Sequence, residues 1–218
     1  MTSPSDATRT PVVVLRPATS AGGSEDVWTQ AWTAQGRTVL VPDLTPAPGL
    51  VVLESPGLQV LAALSASGSE RAVLCGSGYG AMVALHVAAN FPERVAALVL
   101  TTANRLVDRQ RRAIADAVYG LLPVSRVQQL HGPQGRVLEL LDQVRTVDWT
   151  PFAGQVRTSA LVLVGDRDPL NRGPARRLAT VLPESELVVV PGGRQGWVGR
   201  DPAVLADAAA PFLERLGV

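Results

Sequence analysis

Short apolar segments alternate with longer amphipathic segments along most of this chain. The apolar segments carry few polar residues, which is typical of strands buried on both faces. They predict strands at 11–17, 38–44, 71–75, 94–101, 158–164 and 187–190. The amphipathic segments predict helices at 25–35, 57–67, 80–90 and 173–182, and a last helix beginning at Asp201-Pro202. This alternation predicts an α/β fold, a doubly wound and mostly parallel sheet with helices on both faces.

The predicted elements fit one domain. The chain has 218 residues, enough for one sizeable core. We expect a polar tail at 1–10 and a single domain at 11–218. After the fourth strand, helical periodicity is broken at Pro123 and at His131-Gly132-Pro133. Because ligands bind at the carboxyl ends of parallel strands, the functional site is expected at that edge of the sheet.

Composition and charge exclude several classes of partner. Hydrophobic residues make up 46% of the chain and charged residues 18%, the balance of a globular protein. The net charge is +1, so we expect neither nucleic acid nor an anionic membrane as a partner. No apolar run is long enough to span a membrane, and the amino-terminal segment lacks the apolar core of a signal peptide. The oligomeric state is left open, a homo-oligomer included.

The chemistry-bearing residues are few. Cys75 is the only cysteine, which excludes an internal disulfide and fits the cytoplasm. With two histidines it cannot form the usual Cys/His zinc site, so neither a metal nor a cofactor is expected. All 20 basic residues are arginine. Because arginine codons are rich in G and C, this favours a bacterial genome of high GC content.

Three segments resemble α/β-hydrolases. The stretch AVLCGSGYGAMVALHVAANFPERVAALVL, at 72–100, is similar to the family's strand, Gly-x-Ser-x-Gly turn, helix and next strand. LVLVGDRDPL, at 161–170, resembles the strand and turn that carry the family's acid, and LVVVPGGRQGW, at 187–197, resembles those that carry its histidine. The resemblance implies an α/β-hydrolase-like fold with a reduced helical cap at about 104–150.

The family's nucleophile is missing in the frame that fits best. The glycine frame is Gly76-Ser77-Gly78-Tyr79-Gly80, so Gly78 stands where the nucleophilic serine should be. In the alternative frame Ser77 is the nucleophile. Cys75 and Tyr79 would then occupy positions that must be small, because strand and helix approach closely there.

The family's base is also replaced, and only its acid has a counterpart. Gln195 occupies the histidine position, and glutamine cannot take up a proton at neutral pH. Asp168 matches the acid. It is either a remnant of the triad or a turn residue before Pro169.

The resemblance implies that the backbone donors of an oxyanion hole persist. They correspond to the N–H of Tyr79, which follows the nucleophile position, and the N–H of Ala18, since Pro17 has none. Two such donors would bind a carbonyl oxygen. The candidate ligand pocket comprises Arg16, Ala18, Ser77, Tyr79, His131 and Trp197.

Several of these positions have a plain structural alternative. Arg16 either binds a carboxylate or replaces a structural residue of the family. His131 either reaches the site or is an ordinary loop residue. Trp197 either walls a pocket for an apolar ligand or covers the core. We expect His86 and Cys75 to be packing residues.

Three functional hypotheses follow. The first is a non-hydrolytic protein without a Ser-His pair that binds a small carbonyl-containing or apolar ligand. The second is a lyase, cyclase or isomerase that uses the oxyanion corner without a covalent intermediate. A place in natural-product biosynthesis rests on analogy with the fold alone. The third is a hydrolase with relocated residues, such as Ser77 with His131.

Overall fold

The computed structural model describes residues 9–15, 25–44, 53–101, 150–194, 197–199 and 201–218. The predicted tail lies outside these ranges up to residue 8, and the predicted cap lies outside them up to residue 149. No helix within these ranges has both the length and the apolar character needed to cross a bilayer.

Within the described residues, six strands form one sheet in the order β2-β1-β3-β4-β5-β6, and every neighbouring pair is parallel. The strands are β1 (Val12–Leu15), β2 (Val39–Leu40), β3 (Ala72–Ser77), β4 (Val95–Thr101), β5 (Ala160–Arg167) and β6 (Ser185–Arg194).

The described helices connect these strands. They are α1 (Glu25–Ala34), α2 (Glu54–Ala66), α3 (Tyr79–Asn90), α4 (Thr150–Ala153), α5 (Pro169–Val181) and α6 (Pro202–Leu216). Two 3₁₀ turns cover Pro92–Arg94 and Trp197–Gly199.

Side chains of the central strands alternate between two buried clusters, one on each face of the sheet. Leu74 and Leu98 pack with α2, α3 and α5, whereas Cys75 and Val99 pack with α1 and α6. Helices on both faces explain why these strands are apolar throughout. The predicted doubly wound parallel sheet is confirmed.

Both edge strands depart from their predicted bounds. β2 is restricted to Val39–Leu40, whereas the sequence predicts a strand at 38–44. β6 runs from Ser185 to Arg194 and so continues through Pro191, beyond the predicted 187–190. Proline lacks the N–H that a central strand would need, but an edge strand has one side without a neighbour.

Asp168 and Asp201 each precede a helix, but only the side chain of Asp168 caps it. Asp201 is the N-cap residue of α6 as predicted, but its side chain makes no capping hydrogen bond. Asp168 is the N-cap residue of α5 and its side chain accepts a hydrogen bond from the helix. This cap explains why α5 begins at Pro169, earlier than the predicted 173.

Candidate functional site

Gly78 is the single residue between β3 and α3, and it lies at the carboxyl edge of the sheet. Its φ is 57° and its ψ is −116°. This region is strained for residues with a side chain but costs glycine little. A Cβ added to Gly78 would have no atom within 4 Å. The turn therefore has space for a Cβ at Gly78, although its backbone conformation is strained for one.

The glycines on either side of Gly78 are required by close contact. A Cβ on Gly76 would lie 2.7 Å from the Gly80 carbonyl oxygen. A Cβ on Gly80 would overlap the Leu15 carbonyl group. The two positions that must be small are therefore two residues before and two residues after Gly78. This spacing supports the frame in which Gly78 occupies the nucleophile position.

Ser77 lies below the turn, not at its apex. It is the last residue of β3, is 6% exposed and pairs in register with Thr101 of β4. Strand alternation directs its side chain to the same face as that of Cys75, towards α1 and α6. Cys75 is fully buried, and burial raises the pKa of its thiol. Neither position resembles an exposed nucleophile.

The carboxylate of Asp168 is bound by Asn171. Asp168 is 2% exposed. Its Oδ1 accepts a hydrogen bond from the backbone N–H of Asn171 at 3.1 Å, and its Oδ2 accepts one from the Asn171 side chain at 2.5 Å. Both carboxylate oxygens therefore accept hydrogen bonds from the first turn of α5. The arrangement favours the turn-residue alternative for Asp168.

Other buried polar groups near the carboxyl edge were missed by sequence reasoning. Among the described residues, Thr101 Oγ1, Asp166 Oδ1 and Asn171 Oδ1 are buried without a hydrogen-bond partner. The spacing of Asp168 and Asn171, three residues apart at a helix start, was the available signal for one of them. Thr101 lies beside Ser77 in the register of β3 and β4, a placement that only the structure gives.

The side chain of Tyr79 belongs to the core, whereas its backbone N–H lies at the turn. Its side chain is buried in the cluster with α2 and α3, and burial raises the pKa of its phenol. The phenol therefore stays protonated at neutral pH. Its backbone N–H belongs to the first turn of α3, where N–H groups point out of the helix end. We expect any contribution of Tyr79 to the site to come from this N–H.

Trp197 packs in the core. It belongs to the buried cluster with Trp28 and Trp32 on the α1 and α6 face. A Cβ on Gly193 would lie 3.4 Å from its Cγ. These contacts favour the core alternative for Trp197. The remaining candidates, Arg16, Ala18, His131 and Gln195, lie outside the described residues.

His86 packs between α2 and α3, away from the turn. Its ring lies beside Gly57, where a Cβ would be 3.1 Å from its Cδ2. Its Nδ1 lies 3.4 Å from the side-chain nitrogen of Asn90. Burial lowers the pKa of His86, and the nearby Glu54 partly offsets this.

Lowering the pH below about 6.5, the ordinary pKa of histidine, is expected to destabilise the protein through His86. The unfolded state then binds a proton that the folded state does not, so stability falls until the pH reaches the lowered folded pKa. Urea unfolding at pH 7.5, 6.5 and 5.5 should show this loss in the wild type and a smaller one in His86→Gln. Equal pH dependence in both proteins would contradict the assignment.

No protein-family model matches this chain, and no curated protein matches it. Solved structures do match. A thermophilic esterase from Thermogutta terrifontis is 21% identical, with a TM-score of 0.73 over 97% of this chain and 92% of the other. The putative non-heme bromoperoxidase BpoC from Mycobacterium tuberculosis is 18% identical, with a TM-score of 0.77 over 96% and 93%. MenH from S. aureus is 18% identical, with a TM-score of 0.72 over 97% and 96%. The chain therefore has an α/β-hydrolase-like fold.

Proposed function

We propose that this protein binds a small carbonyl-containing or apolar ligand and does not hydrolyse it, because it has no Ser-His catalytic pair. The conformation of Gly78 carries this proposal. It has a φ of 57° and a ψ of −116° at the apex of the strand-to-helix turn, between two glycines that cannot accept a side chain. The turn at which a nucleophile would be presented is therefore built, but the residue at its apex has no hydroxyl group.

The other two triad positions support the same proposal. Serine attack requires a base that accepts the hydroxyl proton and an acid that orients the base. Gln195, at the position that resembles the base, cannot accept that proton. Asp168 directs both carboxylate oxygens to Asn171. The nucleophile and base positions thus lack the residues that acyl transfer needs, and the carboxylate at the acid position is held by Asn171.

A second candidate is a lyase, cyclase or isomerase that polarises a carbonyl without covalent attack. The start of α3 directly after Gly78 favours it. A carbonyl group can approach the Tyr79 N–H because Gly78 has no side chain and the space of its Cβ is open. Donors at a helix start stabilise negative charge on such an oxygen. The third candidate, a hydrolase with Ser77 as a relocated nucleophile, is disfavoured by the burial of Ser77 in β3.

The wild-type protein is expected to show no turnover of p-nitrophenyl acetate and no labelling by a serine-reactive fluorophosphonate. Intact-mass spectrometry after incubation with the reagent checks the second point directly. Ser77→Ala is the matched control, since it removes the hydroxyl group nearest to the turn. Labelling of the wild type that disappears in Ser77→Ala would overturn the first two candidates in favour of the third.

Ligand approach to the turn is tested separately by amide NMR. Titration with 2-pentanone, which carries a carbonyl and a short apolar chain, is expected to shift the Tyr79 amide resonance. The alcohol 2-pentanol is the matched control without a carbonyl. If the ketone leaves the Tyr79 amide unchanged, the carbonyl-binding proposal is wrong. If the ketone also exchanges α-hydrogen for deuterium faster with protein than with buffer, the second candidate is favoured over the first.

A further inference from the structure

Two arginines lie side by side where β5 and β6 end. Arg167 is the last residue of β5, Arg194 is the last residue of β6, and the two pair in register at the carboxyl edge of the sheet. Both are exposed. Neither side chain forms a hydrogen bond or an ion pair within the described ranges of the chain. Neighbouring strands are about 4.8 Å apart, so the two side chains start within reach of one small group.

The backbone is built to bring these arginines together. Gly165 pairs with Val190 and the next pair is Arg167 with Arg194, so β6 contains a bulge between the two pairs. Gly192, inside this bulge, has a φ of 73°. A Cβ on Gly193 would lie 2.7 Å from the Gly165 Cα, so the two backbones touch. Bulges of this kind commonly re-aim side chains next to functional sites.

Asp166 and Asp168 flank Arg167, and within the described residues neither forms an ion pair with Arg167 or Arg194. The Oδ1 of Asp166 is buried without a partner in the described structure, and the carboxylate of Asp168 is bound by Asn171. A third arginine, Arg172, donates from its guanidinium to the backbone carbonyl of Asp166 at 3.3 Å. Like charges opposite each other destabilise a sheet. Within the described residues, the two guanidinium groups therefore have no ion-pair partner.

We propose that Arg167 and Arg194 together bind an oxyanion group, a carboxylate or a phosphate, of a small molecule. The planar donor fork of arginine matches the oxygen pairs of both groups, and two adjacent forks can bind one anion from two sides. The carboxyl edge of a parallel sheet is also where ligands bind. The two arginines directly precede Asp168 and Gln195, so the anion lies at the rim of the candidate site. The inference does not require the proposed function to be correct.

The test is a titration with succinate and, separately, with inorganic phosphate, followed by thermal unfolding and calorimetry. Sodium chloride at matched ionic strength removes the general effect of salt. One of the two anions is expected to raise the unfolding temperature beyond the chloride control. Arg167→Gln and Arg194→Gln should each raise its Kd about tenfold, as expected for the loss of one charge-assisted hydrogen bond. The anion that binds more tightly identifies the chemical class.

Arg176→Gln is the matched control, because it removes the same charge from an exposed position of α5. It should leave the Kd unchanged. Without ligand, Arg194→Gln should be as stable as the wild type or more stable, because the repulsion between the two arginines is removed. If both anions stabilise no more than chloride, or if the two arginine variants bind as tightly as Arg176→Gln, the proposal is wrong.

Discussion

A Gly80→Ala variant is expected to lose more than about 3 kcal/mol of unfolding free energy or to fail to fold. The loss of about 3 kcal/mol is the upper end of the usual cost of overpacking a core. The added Cβ would overlap the backbone carbonyl of Leu15 in β1. A backbone group in a central strand cannot rotate away as a side chain does. Relief therefore requires α3 to move off the sheet, which would separate buried residues of the core. Urea unfolding monitored by circular dichroism measures the loss.

Gly78→Ala is the matched control for Gly80→Ala. It adds the same methyl group two residues away, where a Cβ meets nothing within 4 Å. Its cost should be the backbone strain of this positive-φ conformation alone, about 1–3 kcal/mol. A larger loss for Gly80→Ala than for Gly78→Ala supports the Gly78 frame. Equal losses in the two variants would mean that the strand and the helix are not in close contact at Gly80, and the frame would lose its physical basis.

The sequence predicts the centre of the sheet well because the signal there is local. β3 and β4 are buried on both faces, so each strand is apolar along its length. The glycines of the turn between β3 and α3 lie within five consecutive residues, Gly76 to Gly80, so their spacing can be read from the sequence. Edge strands lack that constraint. β6 tolerates Pro191 and a bulge, so its length could not be predicted from its apolar residues alone.

The site was predictable where its chemistry depends on residue type and not where it depends on contacts. The prediction that Gly78 stands at the nucleophile position rests on the spacing of the glycines, which are read directly from the sequence. The pairing of Arg167 with Arg194 depends on the contact between Gly165 and Gly193, which lie far apart in the sequence. No periodicity in either strand indicates that contact.

The Asp-Pro pairs show the same limit within one motif. Asp168-Pro169 and Asp201-Pro202 are the same dipeptide, and each precedes a helix. The sequence predicts a capping role for Asp201 alone, whereas it predicts Asp168 as a remnant acid or a turn residue. In the structure Asp168 is buried and bonded to Asn171, whereas the exposed Asp201 makes no side-chain capping bond. Burial depends on what packs above each helix start, which the dipeptide does not encode.

This difference leads to a second large expected effect. Asp168→Ala should lower the unfolding free energy by about 2–3 kcal/mol, because it removes a cap and leaves the buried side-chain amide of Asn171 without this acceptor. Asp201→Ala, at a start without a capping bond, should cost less than about 0.5 kcal/mol, as for an ordinary surface substitution. Urea unfolding of both variants, with the wild type, measures the difference.

Comparing the stability losses of Asp168→Ala and Asp201→Ala also tests whether Asp168 is retained as a helix cap or as an acid. A residue retained for chemistry is often neutral or costly to stability, so its removal leaves the fold intact or strengthens it. A residue retained as a cap stabilises the fold in proportion to the donors that it satisfies. If Asp168→Ala costs no more than Asp201→Ala, Asn171 does not hold the carboxylate, and Asp168 is available to move protons for a ligand at the turn. If the cost is several times larger, the carboxylate of Asp168 stabilises the start of α5 as a helix cap.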